Sequence, residues 1–123
     1  MRVASPCAIA FLGAILPTAA WSCNLVEAQT GMIWCKAQCE VRHSRPQCEA
    51  SRRMAAYARN GDALAVRNAF GDCQTGNDAD KVKQRVNVED CFLHDRPTLI
   101  AAACAVFGDC ASQLPRLPRL PRL

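Results

Sequence analysis

Several features that would indicate an enzyme, a metalloprotein or a β-sheet protein are missing from this chain of 123 residues. No nucleophile elbow, phosphate-binding loop or HExxH sequence occurs. No C-x2-C pair occurs, and only His43 and His94 could add nitrogen ligands to cysteines around zinc. No run alternates apolar and polar residues for long enough to predict a strand. We therefore expect a non-enzymatic protein with no cofactor, no metal site and no sheet.

Long apolar segments are also scarce. One cation, Arg2, precedes the apolar run at residues 8–16, and a proline and three small residues follow it. Nine apolar residues are too few to span a bilayer, and the pattern is typical of a secretory signal peptide. We assign residues 1–22 to this signal, with cleavage after Ala20 or Ser22. No later segment is apolar enough to cross a membrane, so we expect a secreted, extracellular chain without a membrane span.

Cysteine, in contrast, is abundant. Loss of the signal peptide removes Cys7 and leaves eight cysteines: Cys23, Cys35, Cys39, Cys48, Cys73, Cys91, Cys104 and Cys110. An even number in a short exported chain indicates a disulfide framework. Eight cysteines allow about 105 pairings, and counting selects none of them.

The net charge of +4 has a local origin. Four of the fifteen cations lie in the signal peptide and in residues 114–123, so residues 23–113 contain eleven cations and eleven anions. A neutral body does not indicate a nucleic-acid surface, and we expect no nucleic-acid partner.

Apolar residues recur at steps of three and four in four segments, and a further segment is rich in Ala, Arg and Met, which together predict five helices. The first carries Leu25, Ala28, Met32, Cys35 and Cys39 on one stripe. The second follows Ser44 and Pro46 and runs over residues 47–59, until Asn60-Gly61. The others have predicted buried stripes of Ala63, Val66, Phe70 and Cys73, then of Val82, Val86, Val88, Cys91 and Phe92, and then of Leu99, Ile100, Ala103, Cys104 and Phe107.

We therefore expect residues 23–113 to form an all-α domain, a small disulfide-stapled bundle of four or five short helices whose bridges join helix to helix. Asp62 is the expected N-cap of the third helix, and Pro97 suits the first turn of the fifth. Residues 114–123 read LPRLPRLPRL, in which proline at every third position excludes a helix. For this tail we favour an extended or disordered basic segment over a recognition stem.

The string FGDC occurs twice, at residues 70–73 and 107–110. Each copy places a Phe on a buried stripe, a Gly where a left-handed helix cap is easy, and a Cys just past the turn. Only an Ala aligns in the six residues before them, so the strings indicate two similar helix ends and not a duplicated module.

Two further strings suggest calcium chemistry. Residues 91–95, CFLHD, are similar to the secreted phospholipase A2 motif, in which the His activates a water and the Asp helps to bind Ca²⁺. Here Arg96-Pro97 follows and the paired cysteine is absent, which favours a His at a helix end near solvent. Asn77, Asp78 and Asp80 lack the Gly and Glu of an EF-hand loop, so we expect them to cap the next helix.

The residues between the cysteines, CNLVEAQTGMIWCKAQC, CEVRHSRPQC, CEASRRMAAYARNGDALAVRNAFGDC and CFLHDRPTLIAAACAVFGDC, resemble the stanniocalcin family over residues 23–110. The resemblance implies three bridges: Cys23 with Cys35, Cys39 with Cys91, and Cys73 with Cys104. The family's partners for the cysteines matching Cys48 and Cys110 are absent here. These two therefore pair with each other, or one of them links two chains in a homodimer.

The resemblance also implies a function. Stanniocalcins are secreted hormones linked to calcium and phosphate balance, so the leading hypothesis is a signalling protein that binds a receptor or another secreted protein. The alternative is a secreted cysteine-rich effector or toxin-like binding protein. A phospholipase A2-like enzyme is the third hypothesis.

Overall fold

In the computed structural model, the described residues are 23–108 and Cys110, and they form five α-helices and no strand. The helices are α1 (Leu25–Arg42), α2 (Arg45–Arg59), α3 (Ala63–Cys73), α4 (Ala79–His94) and α5 (Arg96–Phe107). The all-α, disulfide-stapled bundle predicted from the sequence is confirmed. The predicted signal peptide and the LPRLPRLPRL tail lie outside the described residues. None of the five helices combines the length and hydropathy that a bilayer span requires.

Short polar side chains start four of the helices by accepting backbone N–H groups that have no partner in the first turn. The side chain of Asn24 accepts from two such groups of α1, and single carboxylates start α3, α4 and α5: Asp62, Asp78 and Asp95. The cap predicted at Asp62 is thus confirmed, and of the three residues expected to cap the next helix, Asp78 does so, while Asp80 lies in the first turn of α4. Ser44 precedes α2, but its hydroxyl contacts the side chain of Gln47 instead of a backbone N–H.

The core lies around α1, which contacts each of the other four helices. The predicted stripes of α1, α3 and α5 are mostly confirmed, because Ala28, Met32, Cys35, Ala63, Val66, Phe70, Cys73, Leu99, Ile100, Ala103 and Cys104 are all buried. Three residues of those stripes are less buried than expected: Leu25 is 40% exposed, and Cys39 and Phe107 are half-buried.

The predicted stripe of α4 is partly wrong. Val82 and Val86 are 41% and 56% exposed, while Gln84 and Asn87 are buried beside Val88 and Cys91. Residues 84, 87, 88 and 91 follow the steps of one helix face, and the two valines lie on the opposite side. Polar bonding makes this orientation possible, since Gln84 Oε1 accepts from Gln74 Nε2 at 2.5 Å and Asn87 bonds to the backbone of Asn24.

The two FGDC strings end their helices differently. The second follows the prediction in that α5 stops at Phe107 and Gly108 has a φ of 80°, although its ψ of 166° is not that of a left-handed helical cap. For the first the prediction is wrong, since Gly71 keeps a helical backbone and α3 continues to Cys73. Extending the helix keeps Cys73 in register with Phe70, on the face that is buried against α1.

Candidate functional site

The eight cysteines between residues 23 and 110 form four bridges, all within one chain. The pairs are Cys23–Cys91, Cys35–Cys73, Cys39–Cys48 and Cys104–Cys110. Two of them join helix to helix, α1 with α3 and α1 with α2. The third ties the start of α1 to α4, and the fourth ties α5 to the chain that follows it.

All the pairings implied by the stanniocalcin resemblance are therefore wrong. Cys39 bonds Cys48 and not Cys91, Cys73 bonds Cys35 and not Cys104, and Cys23 bonds Cys91 and not Cys35. The expectation for Cys48 and Cys110 is wrong in both of its forms, because each has a different partner within the chain. Neither cysteine therefore has a free thiol for the predicted disulfide between two chains.

Local backbone geometry explains two of the observed bridges. His43, with a φ of 54°, reverses the chain after α1 and brings the first turn of α2 back to Cys39. Gly108 turns the chain after α5, so that Cys110 returns to Cys104 six residues earlier. Both pairs are short in sequence and span a turn, which is the signal that could have predicted them.

Tertiary packing explains the other two. Cys35 and Cys73 meet where α3 packs on α1, next to the contact between Gly31 and Phe70. Cys23 and Cys91 lie beside a two-way link in which Asn24 N donates to Asn87 Oδ1, and Asn87 Nδ2 donates to Asn24 O, each at 2.8 Å. Neither contact has a sequence signal, because each joins segments far apart in the chain.

The residues of the phospholipase-like string lie at a helix junction. His94 is the last residue of α4 and is exposed. The carboxylate of Asp95 accepts from the backbone N–H of Thr98 and, at 2.7 Å, from its hydroxyl. Asp95 is thus engaged as the cap of α5.

The second calcium-like string starts α4. Asp78 accepts from Lys81 N, and its other oxygen lies 3.2 Å from Lys81 Nζ. The backbone hydrogen bond from Lys81, followed by the bond from its side chain, lowers the pKa of Asp78. Within residues 23–108 and Cys110, no three His, Cys, Asp or Glu side chains are grouped as a metal ion requires.

A groove between α1 and α2, here called the α1–α2 groove, is closed at one end by α5 and has a volume of about 220 Å³. Its α1 wall carries Lys36 and Glu40, and the rest is lined by Cys39, Cys48, Ser51, Arg52, Ala55 and Phe107. The hydroxyl of Ser51 is buried and has no hydrogen-bond partner among the described residues. The accessible lining is therefore mainly apolar, and the unsatisfied hydroxyl lies beneath it.

An adjoining groove between α1 and α5 has a volume of about 420 Å³. It shares Lys36 and Glu40 with the α1–α2 groove, and it is lined further by Ile33, Ala37, Ala105 and Val106. Lys36 Nζ donates to Val106 O at 3.2 Å and lies 4.0 Å from Glu40. The Lys36 and Glu40 side chains thus separate two apolar hollows on one face of the molecule.

Helix α2 concentrates positive charge beside the α1–α2 groove. Arg45, Arg52 and Arg59 are exposed and follow one another at seven-residue steps, which place them on one helix face about 10 Å apart. Arg45 pairs with Glu49, whereas Arg52 and Arg59 make no ion pair within the part of the chain that the structure describes. Residues 42–59 contain five arginines and one glutamate, although residues 23–113 as a whole are neutral.

A third hollow, of about 440 Å³, lies where α1 faces the start of α4. Its aromatic wall is Trp34, and the ammonium of Lys81 lies 4.5 Å from the centre of the Trp34 ring. The same ammonium is 3.2 Å from Asp78 Oδ2. The chain's own lysine thus occupies the aromatic face that a cationic ligand would use.

Compared with known proteins, the chain matches no family model, no curated protein and no solved structure.

Proposed function

We propose that this chain is an exported protein that works by binding another protein and not by catalysis. The observation that carries the proposal is the set of four bridges within residues 23–110. Structural disulfides persist in oxidising compartments, and they stabilise small domains whose cores are thin. The predicted signal peptide at residues 1–22 supports the same conclusion.

The arrangement of the acidic residues supports a non-enzymatic role. Asp78 and Asp95, one carboxylate from each of the two calcium-like strings, each cap a helix. Moving either carboxylate onto a metal ion would remove a hydrogen bond from a helix start. We expect no calcium-dependent ester hydrolysis by the purified chain. Activity that disappears in His94→Ala would contradict this expectation and favour the phospholipase.

The disulfide pattern bears on the narrower role. A hormone-like part in calcium or phosphate balance rests on the stanniocalcin resemblance, and the observed pairings differ from those that the resemblance implies. This difference favours the alternative, a secreted cysteine-rich effector with a scaffold of its own. Both roles require export and a protein partner, so the proposal covers both.

Export is tested by expressing two tagged chains in a secreting host, the full chain and a control that begins at Cys23. We expect the full chain in the medium with Trp21 or Cys23 at its N-terminus, and the control inside the cell. Full chain retained in the cell with Met1 still present would contradict the proposal.

Binding is tested with the oxidised, labelled mature protein on intact cells. We expect saturable binding that unlabelled protein displaces, and no such binding by protein that has been reduced and alkylated. Equal binding by the reduced form would contradict a role that depends on the folded surface.

A further inference from the structure

We propose that the α1–α2 groove binds one apolar side chain of a partner protein, from a segment in which acidic residues flank that side chain. The inference rests on the proposed function, because it names the surface and the partner chemistry of a protein that acts by binding.

The size and lining of the groove favour a single side chain. Its volume of about 220 Å³ is below the roughly 300–1,000 Å³ of sites that enclose a whole small molecule. The Cys39–Cys48 bridge, the methyl group of Ala55 and the half-buried ring of Phe107 give it an apolar surface. An apolar anchor seated in a pocket is the usual centre of a protein–protein contact.

The Ser51 hydroxyl lies beneath the wall of the groove. Ser51 is 8% exposed, and its Oγ finds no partner among the described residues. A buried hydroxyl without a hydrogen bond is unfavourable and rare in folded proteins. Since that oxygen has almost no exposed surface, it is a local cost to the fold and not a contact point for a bound segment.

The positive charge beside the groove favours acidic residues on either side of the partner's apolar side chain. Arg52 lines the groove and, like Arg59, makes no ion pair within the described residues. On the opposite wall Lys36 lies 4.0 Å from Glu40, so this pair adds no net charge and Arg52 supplies the positive charge of the groove. Arginines in a row on α2 therefore complement carboxylates placed on either side of the apolar side chain.

Charge also disfavours two other occupants. The segment LPRLPRLPRL supplies leucines, but its three arginines would lie against the arginines of α2. A second copy joined by two-fold symmetry through this face would bring the two rows of arginines together. A sulfated polysaccharide would use the arginines without the apolar groove. These occupants are outcomes that the experiment separates.

The experiment measures the fluorescence anisotropy of three labelled hexapeptides with the oxidised mature protein. The first has Leu-Phe between two pairs of glutamates, the second has glutamines in place of the glutamates, and the third has serines in place of Leu-Phe. We expect the first to bind at least tenfold more tightly than either control. We also expect its binding to shift the amide NMR signals of Ser51, Ala55 and Phe107.

Substitutions then test which side chains of the groove contact the peptide. Arg52→Gln should weaken binding of the first peptide roughly two- to fivefold, whereas Lys83→Gln, a change on α4 that removes one exposed cation, should leave it within twofold. Ala55→Leu should weaken binding at least fivefold by filling the groove. Ser51→Ala should leave binding within twofold while raising the midpoint of urea unfolding, because it removes an unsatisfied buried hydroxyl that the peptide does not reach. A structural role for Ser51 would instead lower that midpoint.

Several results would overturn the inference. These are equal binding of the glutamate and glutamine peptides, unchanged binding in both Arg52→Gln and Ala55→Leu, and NMR shifts confined to another face. Tighter binding after removal of residues 114–123 would show that the tail occupies the groove. Dimerisation that depends on concentration and is abolished by Ala55→Leu would show that a second copy of the chain occupies the groove. Heparin binding that Ala55→Leu does not change, with no peptide binding, would show that the arginines bind polyanions. None of these results bears on export, so the groove can fail while the proposed function stands.

Discussion

At the scale of single residues, a close approach in the core joins Gly31 of α1 to Phe70 of α3. A Cβ atom on Gly31 would lie 2.7 Å from Phe70 Cζ and 3.3 Å from Gln74 Nε2. Phe70 and Gln74 are fully buried, so neither side chain can move aside freely. Because Gly31 has no Cβ atom, α3 can pack closely on α1 beside the Cys35–Cys73 bridge.

Gly31→Ala tests this contact. Alanine normally stabilises a helix by about 1 kcal/mol relative to glycine. Here we expect the clash to dominate and to lower the free energy of unfolding by about 1–3 kcal/mol. The matched control is Gly71→Ala, since Gly71 is helical and exposed, and a Cβ atom there would meet no neighbouring atom within 4 Å. We expect that control to stabilise by about 0.5–1 kcal/mol, and urea unfolding followed by circular dichroism measures both. Stabilisation by both substitutions would show that Phe70 does not pack on Gly31.

At the scale of the helices, α4 depends on the carboxylate at its start. Asp78 accepts a hydrogen bond from Lys81 N and faces the positive end of the helix. The backbone bond from Lys81, which is the main cause, and the bond from its side chain lower the pKa of Asp78 below its usual value of 3.8. A lowered pKa in the folded state means that ionised Asp78 stabilises the fold above the unfolded pKa. That contribution is lost as the pH falls through the folded pKa.

NMR titration of the Asp78 carboxyl should therefore give a pKa below 3.8. Lys81→Met removes the side-chain bond but keeps the backbone bond, so we expect it to raise the pKa only part of the way to the usual value. Asp78→Asn keeps a capping oxygen and should remove this part of the acid sensitivity of folding. A pKa at or above 3.8 in the unsubstituted chain would show that Asp78 does not cap α4.

The helices were predictable to the extent that their signals are local. Around the start of α3 the signals are close together: α2 ends before Asn60-Gly61, Asp62 caps α3, and the apolar stripe of α3 follows. Each feature has the role that the sequence predicts. The orientation of α4 was not predictable, because it follows from Gln84 bonding to Gln74 and Asn87 bonding to Asn24, contacts between separate helices. The α1–α2 groove had no sequence signal for the same reason, although the seven-residue spacing of Arg45, Arg52 and Arg59 was visible.

At the scale of the whole molecule, the four bridges divide into two long and two short loops. Cys23–Cys91 and Cys35–Cys73 are 68 and 38 residues apart, whereas Cys39–Cys48 and Cys104–Cys110 are nine and six apart. Closing a longer loop removes more entropy from the unfolded chain. The long-range pairs therefore stabilise the bundle most, and the short pairs mainly shape the turns that follow α1 and α5.

Removing bridges one at a time tests this division. Replacing both Cys23 and Cys91 with alanine should lower the free energy of unfolding by about 4 kcal/mol, and replacing Cys104 and Cys110 by about 2 kcal/mol. Urea unfolding of each variant, with the other three bridges intact, gives the comparison. A larger loss from the Cys104 and Cys110 pair would contradict the assignment of the long-range bridges as the main staples.

The bridge pattern itself is the central claim, and peptide mapping of the unreduced mature protein tests it most directly. Cleavage after Lys and Arg, before Asp and after Glu leaves each of the eight cysteines on its own peptide. Mass spectrometry should then find Cys23 with Cys91, Cys35 with Cys73, Cys39 with Cys48, and Cys104 with Cys110. Cys39 found with Cys91, together with Cys73 found with Cys104, would contradict this fold and restore the pairings that the stanniocalcin resemblance implies.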